Sequence, residues 1–227
     1  KTIDREPVTA IVDYDKCTYC QRCVQVCPYS AIRGELKKSL EIISAMCMGC
    51  GACAAECTVD AITMPGFTDE QIMVQIDAAL ADNPHEKVLV FACNWCSYAG
   101  ADQAGIAKIQ YPPSSRVVKT MCSARVTQKF ILHAFSRGAG AVLVTGCHIG
   151  DCHYINANHH TQKRFQRWQK VVQAKGVNPQ RLQLWWVSAA EGRRFAAKVQ
   201  EMHELIHTLP AEEILNTPQK LGAVKAA

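Results

Sequence analysis

Two stretches of the chain decide its first fold: CTYCQRCVQVCP over residues 17–28 and CMGCGACAAEC over residues 47–57. Both contain C-x-x-C-x-x-C-x-x-x-C, and the second follows the first at an offset of 30 residues. A loop with thiolates three residues apart wraps three corners of an iron–sulfur cube, and the fourth cysteine lies too far along the chain for the same cube. The spacing therefore predicts two [4Fe-4S] clusters with exchanged fourth ligands. The first set is Cys17, Cys20, Cys23 and Cys57, and the second is Cys47, Cys50, Cys53 and Cys27.

Zinc is the alternative metal for these eight cysteines. It usually binds two C-x-x-C pairs separated by a longer loop, so the crowded spacing suits it badly. The region over residues 8–66 resembles a bacterial-type two-cluster ferredoxin, and Cys27-Pro28 matches the closing Cys-Pro of that family. Cys57-Thr58 departs from the family pattern, which leaves the shape of one turn open.

The residues around the second cysteine unit predict two further features. Residues 33–46 join the two units and are polar, which predicts a surface hairpin or a short helix. Gly49 and Gly51 flank Cys50 and leave backbone N–H groups free to approach cluster sulfurs, which is one way to tune a reduction potential.

The composition indicates a globular protein that binds metal. The 227 residues are 48% hydrophobic and 20% charged, which excludes disorder as the main state. No apolar run approaches the ~18 residues that a membrane span needs, and the N-terminus does not resemble a signal peptide. Thirteen cysteines, an odd number at short spacings, argue for metal ligation in a reducing cytosol rather than for disulfides. We therefore expect a cytoplasmic protein without a direct membrane span.

Charge is distributed unevenly between the two parts of the chain. Residues 1–85 carry 7 basic and 12 acidic side chains, whereas residues 86–227 carry 18 basic and 8 acidic ones. The two parts are therefore expected to face different partners. The basic residues do not form a run, which disfavours nucleic acid as a partner. Five of them give one predicted helix a basic face, either a solvated surface or a docking patch: Lys163, Arg164, Arg167, Lys170 and Lys175.

Strands and helices alternate in the second part of the chain. A capping box from Thr68 to Gln71 opens a helix predicted over residues 69–82, which connects the two domains. Apolar runs predict strands over residues 88–92, 116–121, 141–145 and 182–187. The remaining predicted helices cover residues 99–109, 127–137 and 158–175, and a last one opens at a capping box, Ser188 to Glu191, and runs to about His207. This order predicts a parallel sheet with helices on both faces.

The predicted fold class is an α+β two-cluster ferredoxin domain followed by an α/β domain with a mainly parallel sheet. The predicted divisions are residues 1–67 for the ferredoxin, 68–85 for the connecting helix, 86–208 for the α/β domain and 209–227 for a tail, either a loose terminus or an arm on a partner.

Five cysteines follow strands of the predicted sheet: Cys93, Cys96, Cys122, Cys147 and Cys152. Because the carboxyl ends of parallel strands share one edge of a sheet, these cysteines should converge without being adjacent in sequence. A [2Fe-2S] cluster takes four protein ligands, which leaves one cysteine over. Cys96 is the predicted spare because it opens a helix further from the strand end, and Cys152 is the next candidate.

Other chemistries at this edge stay open from the residues alone. His148 and His153 each follow a cysteine and either replace thiolates, as in Rieske centres, or donate hydrogen bonds at the rim. Zinc also suits Cys93-x-x-Cys96. A C-x-x-C after a strand resembles a thioredoxin-like redox dithiol, although three more cysteines at the same edge disfavour a simple dithiol.

Several separate motifs in the second part of the chain carry a family resemblance. They are FACNWCSYAGAD over residues 91–102, QYPP over 110–113, MCSAR over 121–125 and GCHIGDCHY over 146–154. Residues 87–208 therefore resemble the delta subunit of methyl-viologen-reducing hydrogenase. The resemblance implies a [2Fe-2S] cluster and electron transfer between a hydrogenase or formate dehydrogenase and heterodisulfide reductase. GFTDEQI over residues 66–72 is similar to the C-terminal ferredoxin end of the largest, flavin-binding type of heterodisulfide reductase polypeptide.

The chain as a whole thus resembles the end of a fused subunit from a heterodisulfide-reductase-like complex or from the quinone-interacting oxidoreductase of sulfate reducers. Such a protein would carry an FAD domain before residue 1, but no G-x-G-x-x-G occurs here, so we expect no flavin site in this chain. The predicted function is electron relay within a multi-subunit oxidoreductase, without a catalytic site of its own. The alternative is a ferredoxin-linked thiol–disulfide oxidoreductase that uses Cys93 and Cys96.

Overall fold

The first part of the chain folds as two small strand–helix units. The computed structural model describes residues 8–222, so residues 1–7 of the predicted ferredoxin domain and residues 223–227 of the predicted tail lie outside the described residues. Two antiparallel strand pairs frame this region: β1 (Ile11–Val12) with β4 (Ile62–Thr63), and β2 (Ile32–Arg33) with β3 (Glu41–Ile42). Each unit contributes one short helix, α1 (Arg22–Val26) or α2 (Ala52–Glu56).

The sequence repeat is also a repeat of backbone conformation. Residues 30 positions apart share a left-handed conformation, in the pairs Tyr19 and Gly49, Gln21 and Gly51, and Ser30 and Asp60. The turns after the fourth cysteines also agree, because ψ is 111° at Cys27 and 114° at Cys57. Threonine in place of proline after Cys57 therefore leaves the turn unchanged. The joining residues 33–46 form the predicted hairpin, in which Ile32 pairs with Ile42.

The capping box predicted at Thr68 is present. Thr68 Oγ1 accepts a hydrogen bond from the N–H of Gln71, and the Gln71 side chain accepts one from the N–H of Thr68. The helix that follows, α3 (Asp69–Ala79), ends three residues before the predicted position. Its buried side chains, Ile72 and Ile76, pack into the same core as the sheet of the second domain. The connecting helix is therefore also one of the helices that cover this sheet.

Four parallel strands form the sheet of the second domain, in the order β6-β5-β7-β8. Their bounds are β5 (Val88–Cys93), β6 (Ser115–Thr120), β7 (Ala141–Gly146) and β8 (Leu182–Trp186). Every residue of the two central strands, β5 and β7, is buried. Continuous apolar runs form these strands because helices cover both of their faces. The predicted fold class is thus confirmed.

Helices cover both faces of the sheet. The further helices are α4 (Ser97–Ile106), α5 (Gln128–Ser136), α6 (Ala157–Ala174) and α7 (Gly192–Thr208). One face packs under α3, α5 and α6, with Phe130 and Trp168 in its core. The other face packs under α7, with Phe195 and Met202 in its core. Thr127 caps α5 as its position suggests, since its hydroxyl accepts from the N–H of Phe130. No helix within residues 8–222 is both long and apolar enough to cross a membrane.

The second predicted capping box is wrong. Helix α7 begins at Gly192, and Ser188 lies before a turn rather than at the helix N-cap. Only half of the reciprocal pair forms, because the Glu191 carboxylate accepts from the Ser188 N–H at 2.7 Å. The same carboxylate also binds Arg194 and His148, which holds it at the N-terminus of α7.

The described part of the predicted tail is packed against the domain. Residues 209–222 contain α8 (Ala211–Leu215) and α9 (Thr217–Leu221). Ile214 lies in the core of one sheet face and Leu221 in the core of the other. Arg181, which is fully buried, donates to Thr217 Oγ1 at 2.6 Å and ties this segment to the sheet.

Candidate metal centres

The eight cysteines of the first domain line two separate cavities. Left-handed residues next to each C-x-x-C turn the chain so that successive thiols face one space. The first cavity is lined by Cys17, Cys20, Cys23 and Cys57. The second is lined by Cys27, Cys47, Cys50 and Cys53. Each unit thus contributes three cysteines to one cavity and its fourth to the other.

Spacing and burial in these cavities suit a multi-iron cluster. A Zn–S bond of about 2.3 Å places tetrahedral thiolates about 3.8 Å apart. Within the described chain, no three of these eight Sγ atoms lie within 4.8 Å of one another. Burial raises the pKa of Cys23 to about 11 and that of Cys50 to about 12, so at neutral pH a bound metal is needed to hold either as a thiolate.

Backbone amides near the sulfurs and two glycines complete the cavities. The N–H groups of Tyr19 and Ala61 donate to Cys17 Sγ at 3.4 Å and Cys57 Sγ at 3.2 Å. A Cβ at Gly49 would lie 2.3 Å from a backbone oxygen, and one at Gly51 would lie 2.7 Å from Cδ of Arg125. Close approach thus requires glycine at both positions, and at Gly51 the neighbour belongs to the second domain.

The five remaining cysteines meet at the carboxyl edge of the sheet. Cys93 ends β5, Cys96 is the N-cap of α4, and Cys122 and Cys147 follow β6 and β7. Cys152 lies on the loop after Cys147, where Gly150 adopts a φ of 98°. All five are buried. The Sγ atoms of Cys93, Cys96 and Cys147 lie within 4.8 Å of one another, so the predicted spare, Cys96, is as close to its neighbours as the others.

The thiols of this edge form one hydrogen-bonded network. Hydrogen bonds from Cys122, Cys147 and Cys96 lower the pKa of Cys93 far below its ordinary value, so its sulfur is the acceptor at the centre. The pKa of Cys122 is raised, first by its hydrogen bond with Cys152, and then by its bond to Cys93. The network therefore includes all five cysteines.

Both histidines of this edge have other partners. His148 Nε2 lies 2.6 Å from the carboxylate of Glu191, and the ring of His153 stacks on Trp95 at a centroid distance of 3.7 Å. Asn158 holds the loop by donating to the carbonyl oxygens of Cys147 and His148, both at 3.0 Å.

The second cavity and the strand-end cysteines are direct neighbours. Cys50, Cys122 and Cys152 share one buried cluster with Tyr154. Tyr29 lines the second cavity, and its hydroxyl donates to the His153 carbonyl at 3.4 Å. Sequence analysis missed both tyrosines, because their neighbours come from distant parts of the chain. The only local signal for Tyr29 is its position two residues after Cys27.

Both ends of this row of sites reach the surface. Cys20 of the first cavity is exposed. At the other end, a surface cavity is lined by Cys96 and Cys147 together with His153 and Trp95, and Trp95 is 39% exposed. The second cavity lies between these two ends.

The fold and the cysteine sites together define the class of protein. Residues 10–64 match a 4Fe-4S dicluster domain, and residues 88–210 match the delta subunit of methyl-viologen-reducing hydrogenase. The chain belongs to this delta subunit family, which confirms the resemblance seen in its motifs.

Curated relatives fall into two groups. The A subunit of the ferredoxin:CoB-CoM heterodisulfide reductase of Methanosarcina mazei is 44% identical over 200 residues, which is 88% of this chain and 25% of that protein. The iron-sulfur D subunit of the F420-non-reducing hydrogenase of Archaeoglobus profundus is 42% identical over 122 residues, 54% of this chain and 89% of that protein. The corresponding vhc iron-sulfur protein of Methanococcus voltae is 40% identical over 130 residues, 57% of this chain and 90% of that protein. The chain thus spans about a quarter of the length of the heterodisulfide reductase relative, and its likeness to that protein confirms the resemblance seen at residues 66–72.

Proposed function

We propose that this chain relays single electrons within a cytoplasmic complex through two [4Fe-4S] clusters and one [2Fe-2S] cluster. Cys17, Cys20, Cys23 and Cys57 hold the first cluster, and Cys27, Cys47, Cys50 and Cys53 hold the second. Four of Cys93, Cys96, Cys122, Cys147 and Cys152 hold the third. When bound, the clusters supply reversible one-electron iron chemistry.

The observation that carries the proposal is the order of the three cysteine sites. The second cavity lies against the third site through Cys50, Cys122 and Cys152, in a shared buried cluster. The first cavity opens to solvent at Cys20, and the third site opens beside Trp95. Buried thiols and apolar neighbours exclude water between the sites, while an exposed position at each end allows contact with a donor and an acceptor.

The residues around each site shape its chemistry. Thiolate ligation favours low potentials, and the amides aimed at Cys17 and Cys57 raise them again by stabilising sulfur charge. The partners of His148 and His153 at the third site favour cysteines as its ligands. We also propose the predicted divisions of the chain at residues 67, 85 and 208 as the boundaries of its functional parts.

The relatives suggest the partners. They are subunits of heterodisulfide reductase and of F420-non-reducing hydrogenase. We propose that the chain links a hydrogenase or formate dehydrogenase to a flavin-containing, heterodisulfide-reductase-like partner. An electron relay in a quinone-interacting complex of sulfate reduction is the alternative assembly.

Metal and sulfide analysis tests the relay against the thiol–disulfide oxidoreductase. The relay requires about ten irons per chain and a reduced [2Fe-2S] EPR signal. About eight irons with free thiols at Cys93 and Cys96 would refute the third cluster and favour the oxidoreductase. Zinc in place of iron at the strand-end cysteines would also refute it. The burial of both Cys93 and Cys96 beneath neighbouring thiols supports the relay.

A further inference from the structure

Two buried arginines lie where the first domain meets the sheet edge. Arg125 is 1% exposed and Arg164 is 9% exposed. Arg125 donates to the Phe67 carbonyl at 3.0 Å and pairs with the Asp69 carboxylate. Arg164, which the sequence placed on an exposed basic face, instead turns inward from α6. The predicted face keeps its exposed members, Lys163, Arg167, Lys170 and Lys175.

Arg164 connects the two cysteine sites on either side of it. Its Nη2 donates to the Ala124 carbonyl at 2.5 Å, two residues after Cys122 of the third site. Its Nη1 lies 3.3 Å from the carboxylate of Glu56, in helix α2 of the first domain. Helix α2 begins two residues after Cys50, a cysteine of the second cavity.

Positive charge in this junction is not fully matched by the acids of the described chain. Asp69 and Glu56 are the two carboxylates in contact, and both are partly exposed. Nη1 of Arg125 and Nε of Arg164 have no hydrogen-bond partner among the described residues. Burial lowers the pKa of Arg164, while the negative charges of Glu56, Cys122 and Cys50 oppose that shift. Because an unpaired buried charge is strongly unfavourable, the junction favours nearby negative charge.

We propose that Arg164, supported by Arg125, raises the reduction potentials of the two clusters beside it: the [4Fe-4S] cluster of the second cavity and the [2Fe-2S] cluster at the strand ends. The proposal rests on the proposed function. Each oxidised cluster with four thiolates carries about −2 charge, and reduction adds a further negative charge. A fixed guanidinium in a buried, low-dielectric position stabilises that added charge more than solvent-exposed cations do.

Redox titration of the cluster-loaded protein, followed by EPR, tests this role. Arg164→Gln should shift the midpoint potentials of both neighbouring clusters to more negative values, whereas Arg164→Lys, which keeps the charge, should shift them less. Glu56→Gln should shift them in the opposite direction, because it leaves the guanidinium without its counter-ion. Arg167→Gln is the matched control, since Arg167 lies on the exposed side of the same helix and is screened by solvent.

Three outcomes would overturn the proposal. The first is an unchanged potential in Arg164→Gln at full iron content, and the second is an equal shift in Arg167→Gln. If Arg164→Gln does not retain its clusters, Glu56→Gln decides, and the absence of a positive shift in that variant is the third. Iron and sulfide content of the unaltered protein separates the two hypotheses. A missing [2Fe-2S] signal there refutes the relay, while the effect on the [4Fe-4S] cluster remains measurable.

Discussion

Replacing Gly51 by alanine tests how tightly the two domains fit together. Gly51 has a φ of 78°, and an added Cβ would lie 2.7 Å from Cδ and 3.1 Å from Cβ of Arg125. The left-handed conformation costs a non-glycine residue about 1–2 kcal/mol. The contact adds about 1–3 kcal/mol of overpacking, because Arg125 is buried and held by Phe67 and Asp69. We therefore expect Gly51→Ala to lower the free energy of unfolding by about 2–5 kcal/mol.

Gly66→Ala is the matched control for this prediction. Gly66 has a φ of 79°, and no heavy atom lies within 4 Å of its added Cβ, so only the conformational cost of about 1–2 kcal/mol should appear. Urea unfolding of cluster-loaded protein under anaerobic conditions, followed by circular dichroism and by cluster absorbance, gives both values. Equal losses in the two variants would refute the claim that Arg125 packs against Gly51.

The remaining predictions concern the cysteines, a helix cap and charge. Cys27→Ala should damage only the cluster of the second cavity and Cys57→Ala only that of the first; low-temperature EPR of the reduced variants measures this, and the reverse pattern would contradict the exchanged ligands. Cys122→Ser should abolish the [2Fe-2S] signal, since no other cysteine of its loop can replace it, whereas Cys96→Ser should keep it. A signal that survives in all five Cys→Ser variants would remove the cluster from this edge. Thr68→Ala should lower stability by about 1 kcal/mol in thermal unfolding, because it removes the cap of α3; no change would show that the cap is dispensable. Association with a partner complex should weaken as salt is added, because the first part of the chain is acidic and the second basic; an affinity independent of ionic strength would contradict electrostatic docking.

Local patterns predicted the elements, and chain order predicted the third site. The apolar runs at Val88 and Ala141 became central strands because both of their faces are covered. Once the strands are parallel, their ends must share an edge, so the meeting of Cys93 and Cys147 follows without further information. Thr68 was predictable as a cap because its partner lies three residues away.

Errors arose where distant residues decide the outcome. Ser188 and Glu191 have the same spacing as Thr68 and Gln71, but His148 and Arg194 bind the Glu191 carboxylate and the helix begins at Gly192. Arg164 belongs to a polar helix by its local sequence, and only Glu56, more than a hundred residues earlier, explains why it turns inward. No periodicity within a single element contains such information.

The exchange of the last cysteine between the two units has a consequence for how the protein is made. Cys17, Cys20 and Cys23 are synthesised first, yet the cavity that they line also requires Cys57. The second cavity likewise combines Cys27 with cysteines of the later unit. Neither metal site can close until the ribosome has added residue 57, and both then become complete together. A nascent chain or a fragment that stops between the units would expose thiols without a finished site for iron.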